Sequence, residues 1–269
     1  MKADDIRGLT VFTMATTKYW EYFLYLLPNL RAVVDSECKI EVVVLTNRHP
    51  EGEMHTELEN LKVTVRASEF QDWPEVTLLR YEQILKHREL IKNDRLLWID
   101  VDMRFQKKLD LGLLSSGVHL ALHPGYVFSK RGFLSLKFGE QKDFMIEKLK
   151  LAKRKQFARG AWEENVDSLA YVEPRKRKAY VHGAIWGGEK QRVLEMCEVL
   201  DERIKQDLAA GFIATWYDES HLNWFHANHP QYLFPVHFSG APCHWTSNTA
   251  KSVVISLDKA SLDIQLGIP

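Results

Sequence analysis

The sequence predicts an α/β fold, a mixed and mostly parallel sheet flanked by helices. Three observations predict it. Short apolar or alternating runs recur through the first part of the chain, with segments of helical spacing between them. One run, "RLLWID", is apolar throughout, as a strand covered on both faces has to be. Two aspartates, Asp100 and Asp102, close that run at its carboxyl end, the edge where open α/β sheets take their ligands.

The elements follow in order. "LTVFTMA" (Leu9–Ala15) reads as a first buried strand and "TTKYWEYFLYLLPNLRAVV" as the helix after it. "KIEVVVLTN" (Lys39–Asn47) is β-branched and strand-like, and "LKVTVRAS" alternates with period two. "TLLRYEQILKHRELI" predicts one helix through Leu78, Tyr81, Ile84 and Leu85, and "RLLWID" then makes a central parallel strand. "VHLALHPG" (Val118–Gly125) reads as a strand running into a turn, and "YVHGAIWGG" (Tyr180–Gly188) as a glycine-rich strand. Val193, Cys197, Leu200, Ile204 and Leu208 stripe a long helix that Gly211 stops, and "DESHLNWF" (Asp218–Phe225) starts another with acids in its first turn. There is no repeat and no Gly/Ser linker. One domain with two lobes is expected over 1–269, the first to about 117 and the second to about 240, with a tail over 241–269.

Composition excludes several classes. The 269 residues are 45% hydrophobic, enough for a sizeable core. Lys+Arg and Asp+Glu both number 36, and that balance excludes a mainly electrostatic nucleic-acid binder. Cys38, Cys197 and Cys243 match no zinc or redox spacing. The first residues, "MKADDIRGLTVF", are not a secretory signal, and no run is long enough to span a bilayer. These features predict a cytoplasmic protein, or a luminal one shorn of its anchor.

Two acidic pairs carry the chemistry. Side chains two apart on a strand share a face, so Asp100 and Asp102 would address one cation, and hard oxygen ligands suit Mn²⁺ or Mg²⁺. The bland alternative is a solvated strand end. Asp218 and Glu219, in "WYDESHLN", are adjacent and project from different sides of a helix. One would bind a sugar hydroxyl while the other faces a reacting carbon, and an ordinary acidic first turn explains them equally well. "LHPGY" places His123 at a rigid turn, where Pro-Gly turn chemistry alone accounts for it.

The motifs "ATTKYW", "WPEVTLLR", "WIDVDMRF", "LHPGY", "WEENVDSLAYV", "YVHGAIWGG" and "WYDESHLN", in this order, resemble glycosyltransferase family 6. That family holds the histo-blood-group A and B transferases and the α1,3-galactosyltransferases. The resemblance runs from about Ala15 to about Pro235, and "DVDM" and "DESHLN" are its most specific pieces. It implies a GT-A fold, and a retaining transfer of galactose or N-acetylgalactosamine from a UDP-sugar to a glycan.

Residue by residue, the resemblance makes Asp100 and Asp102 the ligands of a Mn²⁺ held against the UDP diphosphate. Some bacterial relatives lack these acids and work without metal. It places Ala15 and Tyr19 at the nucleotide, Arg80 near the donor sugar and the acidic pair, and Asp218 on the donor-sugar hydroxyls. Glu219 becomes the nucleophile or the stabiliser of an oxocarbenium-like transition state. His123, Trp216 and Glu163 fall on the acceptor side. His182, Gly183 and Ala184 flank the donor, and the histidine and alanine match the α1,3-galactosyltransferases, so UDP-galactose is expected. In relatives a basic tail closes over UDP, and Lys251 is the expected counterpart.

The departures cluster on the acceptor side. Tyr217 stands where the family has histidine, "WEEN" (Trp162 to Asn165) replaces "YERR", and a basic stretch, "FLSLKFGEQKDFMIEKLKLAKRKQFARG", is added. With "RKRK" (Arg175–Lys178), these lysines and arginines make either a solvated face or a docking surface for an acidic acceptor or an anionic membrane. Two other classes stay open: a metal-dependent hydrolase or nuclease using Asp100, Asp102 and Glu219 as ligands, and a non-catalytic sugar- or nucleotide-binding module.

Overall fold

The computed structural model describes residues 8–34, 38–70, 72–126, 159–229, 231–244 and 249–268, with a few positions between 141 and 149. Most of the added basic stretch lies outside the described residues.

The apolar runs form the expected strands. These are β1 (Gly8–Met14), β2 (Lys39–Thr46), β3 (Val63–Ala67) and β4 (Arg95–Ile99), with β6 (Val118–Leu122) and β7 (Val181–Glu189) later. Among the described residues they and β8 (Tyr232–Leu233) make a seven-stranded sheet in the order β3-β2-β1-β4-β7-β6-β8. The β1–β2, β2–β3, β1–β4 and β6–β8 pairs are parallel. Strand β7 runs antiparallel to both β4 and β6. The expectation that β4 is a purely parallel strand therefore holds on its β1 side only. A second sheet joins β5 (Met103–Phe105), β10 (Val254–Ser256) and β9 (Ser239–Gly240).

Strand alternation sends successive side chains to two cores. Val11, Val42, Val44, Leu97 and Ile99 face one layer, where Phe23, Leu26 and Leu30 of α1 (Tyr19–Val33) cover them. Phe12, Val43, Leu96, Trp98 and Trp186 face the other. That layer is closed by α4 (Arg80–Lys86), α5 (Lys190–Ala209) and α6 (Tyr217–Asn228). Trp98 and Trp186 are register partners across β4 and β7 and stack at 5.7 Å. The α5 stripe is as expected, with Val193, Cys197, Leu200 and Ile204 all buried, Leu208 at its margin, and Gly211 beyond it at φ +81°.

The single helix expected over 77–91 is broken. A short α3 (Glu75–Leu78) ends at Leu79, whose φ of −100° and ψ of 19° leave the helical region, and α4 starts at Arg80. Two further helices, α2 (Gly52–Asn60) and α7 (Lys259–Leu266), complete the described elements used below. Among the described residues no helix is long and apolar enough to cross a membrane.

Candidate active site

The antiparallel direction of β7 makes the site. Its start, His182–Ala184, lies beside the carboxyl end of β4, where Asp100 N–H donates to the Ala184 carbonyl at 2.8 Å. The aspartates are not on a strand, as the spacing had suggested. β4 stops at Ile99, and Met103 N–H closes back on the Asp100 carbonyl at 3.1 Å. The pair therefore sits on a tight turn, and its convergence comes from turn geometry rather than strand alternation.

Arg80 is the hub. Its buried guanidinium lies 3.2 Å from Asp100 Oδ1 and 3.0 Å from Asp218 Oδ2, and it donates to the Gly183 carbonyl at 2.9 Å. The group rests 4.8 Å from the Trp98 ring centre. A buried cation is stable only with such partners. Burial pulls its pKa down, but Asp218 and Asp100 outweigh this and the net shift is upward.

Across from it, α6 presents the second pair. Asp218 is 2% exposed, and burial pushes its carboxyl up to about 7 against the pull of Arg80. Glu219 Oε2 accepts Gly183 N–H at 2.9 Å, and burial likewise raises Glu219 to about 7. Both acids flank Gly183, where an added Cβ would meet Asp218 Oδ2 at 3.0 Å. The motif's Asn223, which the sequence reading left without a role, staples α6 to β7. It donates to the Val181 carbonyl at 2.8 Å and accepts Val181 N–H at 2.9 Å.

A cavity of about 470 Å³ opens beside Asp100 and Asp102, lined also by Thr16, Thr17, Tyr19, Trp73 and Lys259 among others. Ala15 lies just behind it, fully buried, with its N–H given to the Leu45 carbonyl. Lys259, not Lys251, is the tail lysine at the site. It lies 3.2 Å from Asp102 Oδ2 and 5.1 Å from the centre of the Tyr19 ring. The Lys251 carbonyl instead accepts from Lys107. Three carboxyl groups, of Asp100, Asp102 and Asp218, thus pair with two cationic side chains, and burial raises Asp100. Asp100 and Asp102 at the cavity edge are the hard oxygen donors that suit a divalent cation. Among the described residues no three His, Cys, Asp or Glu side chains converge on a metal-sized site. Glu219 does not join Asp100 and Asp102, as the hydrolase alternative requires.

The acceptor-side residues divide. His123, at the end of β6, has Tyr126, Tyr180, His182 and His244 around its ring, with centres 4.7, 5.8, 5.8 and 5.5 Å away. Gly125 N–H donates to His123 Nδ1 at 3.1 Å, which leaves Nε2 as the donor in the neutral ring. Burial lowers His123 to about 4 and His182 to about 3, so both are neutral at ordinary pH. Among the described residues the buried His182 Nε2 has no hydrogen-bond partner. Trp216 is half exposed. Tyr217, with φ of +49°, packs edge-on to Trp73 at 4.8 Å. The Glu163 carboxylate, expected at the acceptor, is bonded to Asn165 and Thr215 instead. His244 and Tyr180 went unread in sequence; the histidine cluster joins residues more than a hundred positions apart, which no local spacing reveals. "RKRK" is not wholly a surface run either: Arg177 is fully buried.

A mixed sheet with an Asp-x-Asp turn ending its central strand, and a second acidic pair at the same edge, is the architecture of the GT-A class. Comparison with known proteins narrows the class. The profile of glycosyltransferase family 6 matches residues 147–239. The chain is 28% identical over 183 residues to globoside alpha-1,3-N-acetylgalactosaminyltransferase 1 of Gallus gallus, covering 63% of this chain and 45% of that protein. It is 27% identical over 248 residues to histo-blood group ABO system transferase 2 of Rattus norvegicus, covering 87% and 65%. To the Homo sapiens globoside enzyme it is 30% identical over 154 residues, covering 56% and 37%. The chain thus spans between about a third and two thirds of these relatives. Over these stretches it is similar to members of glycosyltransferase family 6.

Proposed function

We propose that this chain is a retaining glycosyltransferase that moves galactose from UDP-galactose to a hydroxyl of an oligosaccharide or glycolipid, forming an α1,3 linkage. One observation carries the reading: Arg80 ties Asp100, on the nucleotide side, to Asp218, while Glu219 is held beside them on Gly183 N–H.

The nucleotide occupies the cavity beside Tyr19, with its diphosphate toward Asp100, Asp102 and Lys259. These two aspartates would hold Mn²⁺ or Mg²⁺, which supplies Lewis-acid neutralisation of the departing diphosphate. Arg80 orients Asp218 to take the sugar hydroxyls. The C1–oxygen bond to UDP breaks beside Glu219. Its carboxylate either bonds C1, giving inversion twice, or stabilises an oxocarbenium ion while the acceptor enters on the face UDP leaves. The proton of the acceptor hydroxyl leaves with the diphosphate oxygen. His123 Nε2–H and the half-exposed Trp216 hold the acceptor sugar.

His182 and Ala184 decide the donor. Their bulk, beside the packed ring of His123, leaves little space for a 2-acetamido group. The names of the globoside relatives favour the other donor, UDP-N-acetylgalactosamine. Competition between the two donors on a glycan array with Mn²⁺ decides between them, and faster use of the N-acetylated donor reverses the assignment. Nucleotide release indifferent to added glycan would replace transfer with hydrolysis. UDP binding by calorimetry without turnover across the array would leave a binding module.

A further inference from the structure

Resting on that reading, we infer that Glu163 is a positioning residue whose buried carboxylate fixes the entry to α6 and so aims Glu219, without touching the acceptor. Glu163 is 5% exposed and both its oxygens are engaged. Oε1 accepts Asn165 N–H at 2.8 Å. Oε2 accepts Thr215 N–H at 2.6 Å and the Thr215 hydroxyl at 2.9 Å. Thr215 leads directly into Trp216, the strained Tyr217, Asp218 and Glu219. The Trp216 side chain makes no cap bond to the helix, and its own N–H is taken by Ser220 Oγ at 3.0 Å. The chain entering α6 is thus held by Ser220 from within the helix and by Glu163 from outside it.

Glu163 is itself held rigidly. Arg177, fully buried, donates to the Val172 carbonyl at 2.7 Å, the Glu163 carbonyl at 3.2 Å and Glu164 Oε1 at 2.8 Å. Further along the loop, Asp207 of α5 accepts from Ser168 Oγ at 2.6 Å and from Leu169 N–H at 2.8 Å. Glu219 lies four residues beyond Thr215, in the first turn of α6. A shift at Thr215 therefore displaces the start of α6 and with it the carboxylate on Gly183 N–H.

The test is Glu163→Gln, which keeps the shape but sets an NH₂ donor against backbone N–H groups. It should lower kcat for galactosyl transfer and for acceptor-free UDP-galactose hydrolysis by the same factor, about tenfold to a hundredfold, the scale of a small misplacement. UDP affinity by calorimetry should be unchanged. Loss of transfer with wild-type hydrolysis would put Glu163 on the acceptor and overturn the inference. A lower Tm with unchanged kcat per folded molecule would overturn it too, as a merely structural role. Should Glu163→Gln not fold, Thr215→Val removes one of the three bonds and should show the same paired loss, smaller in size. Amide hydrogen exchange over 214–223 needs no working assay. It should quicken in the variant, and unchanged exchange overturns positioning even where the wild-type chain transfers no sugar, which is a separate failure of the proposed function.

Discussion

At the scale of single residues, the site is a set of charges that would be costly apart. In the proposed reaction Glu219, raised to about 7 by burial, must be ionised to serve C1. For the free enzyme, kcat/KM should therefore fall as pH drops below about 7, measured as a pH–rate profile. Glu219→Gln should lower kcat by about a thousandfold or more while UDP still binds. The same substitution should stabilise the fold. A carboxyl whose folded pKa lies above its unfolded value of 4.5 favours the folded state below the unfolded pKa and loses that contribution as pH rises through the folded one. The Tm of Glu219→Gln should exceed that of the wild type at pH 8, and the difference should vanish below about pH 4.5. Asp102→Asn removes a hard oxygen donor and Lys259's partner. It should weaken UDP binding in Mn²⁺ and flatten the metal response in calorimetry. An unchanged metal profile would remove Asp102 from the cation.

At the scale of elements, β7 brings both halves of the site together, and its glycines permit that. Gly188 has φ +150°, and an added Cβ would lie 2.0 Å from the Gly117 carbonyl oxygen of the adjoining chain. Gly188→Ala should cost about 3 kcal/mol in urea unfolding, the upper range for forced overpacking. How much was legible differs by element. The strands β1 to β4 and the α5 stripe were readable because apolar period encodes which face a residue presents, and that is local information. The break at Leu79 was not. "TLLRYEQILKHRELI" keeps helical spacing across it, so periodicity alone predicts one helix. Nor was the direction of β7, since a strand's sequence carries its faces but not its neighbour's orientation. Glu163 shows the same limit. Its place in a family motif suggested the acceptor, and only the fold shows Thr215 filling its carboxylate.

At the scale of the whole molecule, the tail returns to the face of the sheet that α1 covers. α7 docks on α1 through Lys18–Asp263 at 2.8 Å and a Tyr22 hydroxyl bond to Asp263 at 2.5 Å, and this sets Lys259 against Asp102. Asp263→Ala should raise the KM for UDP-galactose. Its stability cost should be small, because the ion pair is partly solvated. Net charge offers no pull of its own, since Lys+Arg and Asp+Glu are equal at 36. Any attraction for an acidic acceptor would have to come from the basic segments, and raising ionic strength to about 0.15 M should then raise the acceptor KM. An unmoved KM would make those lysines and arginines a solvated face.

By itself the sequence determined the strands, the long helices and the two acidic pairs, because burial periodicity and motif order are written along the chain. Only the tertiary structure decided which lysine reaches Asp102 and that Arg177 lies in the interior. Arg80, Asp100, Gly183 and Asp218 meet because desolvated charges must find partners wherever packing places them, and packing joins elements that no local pattern connects.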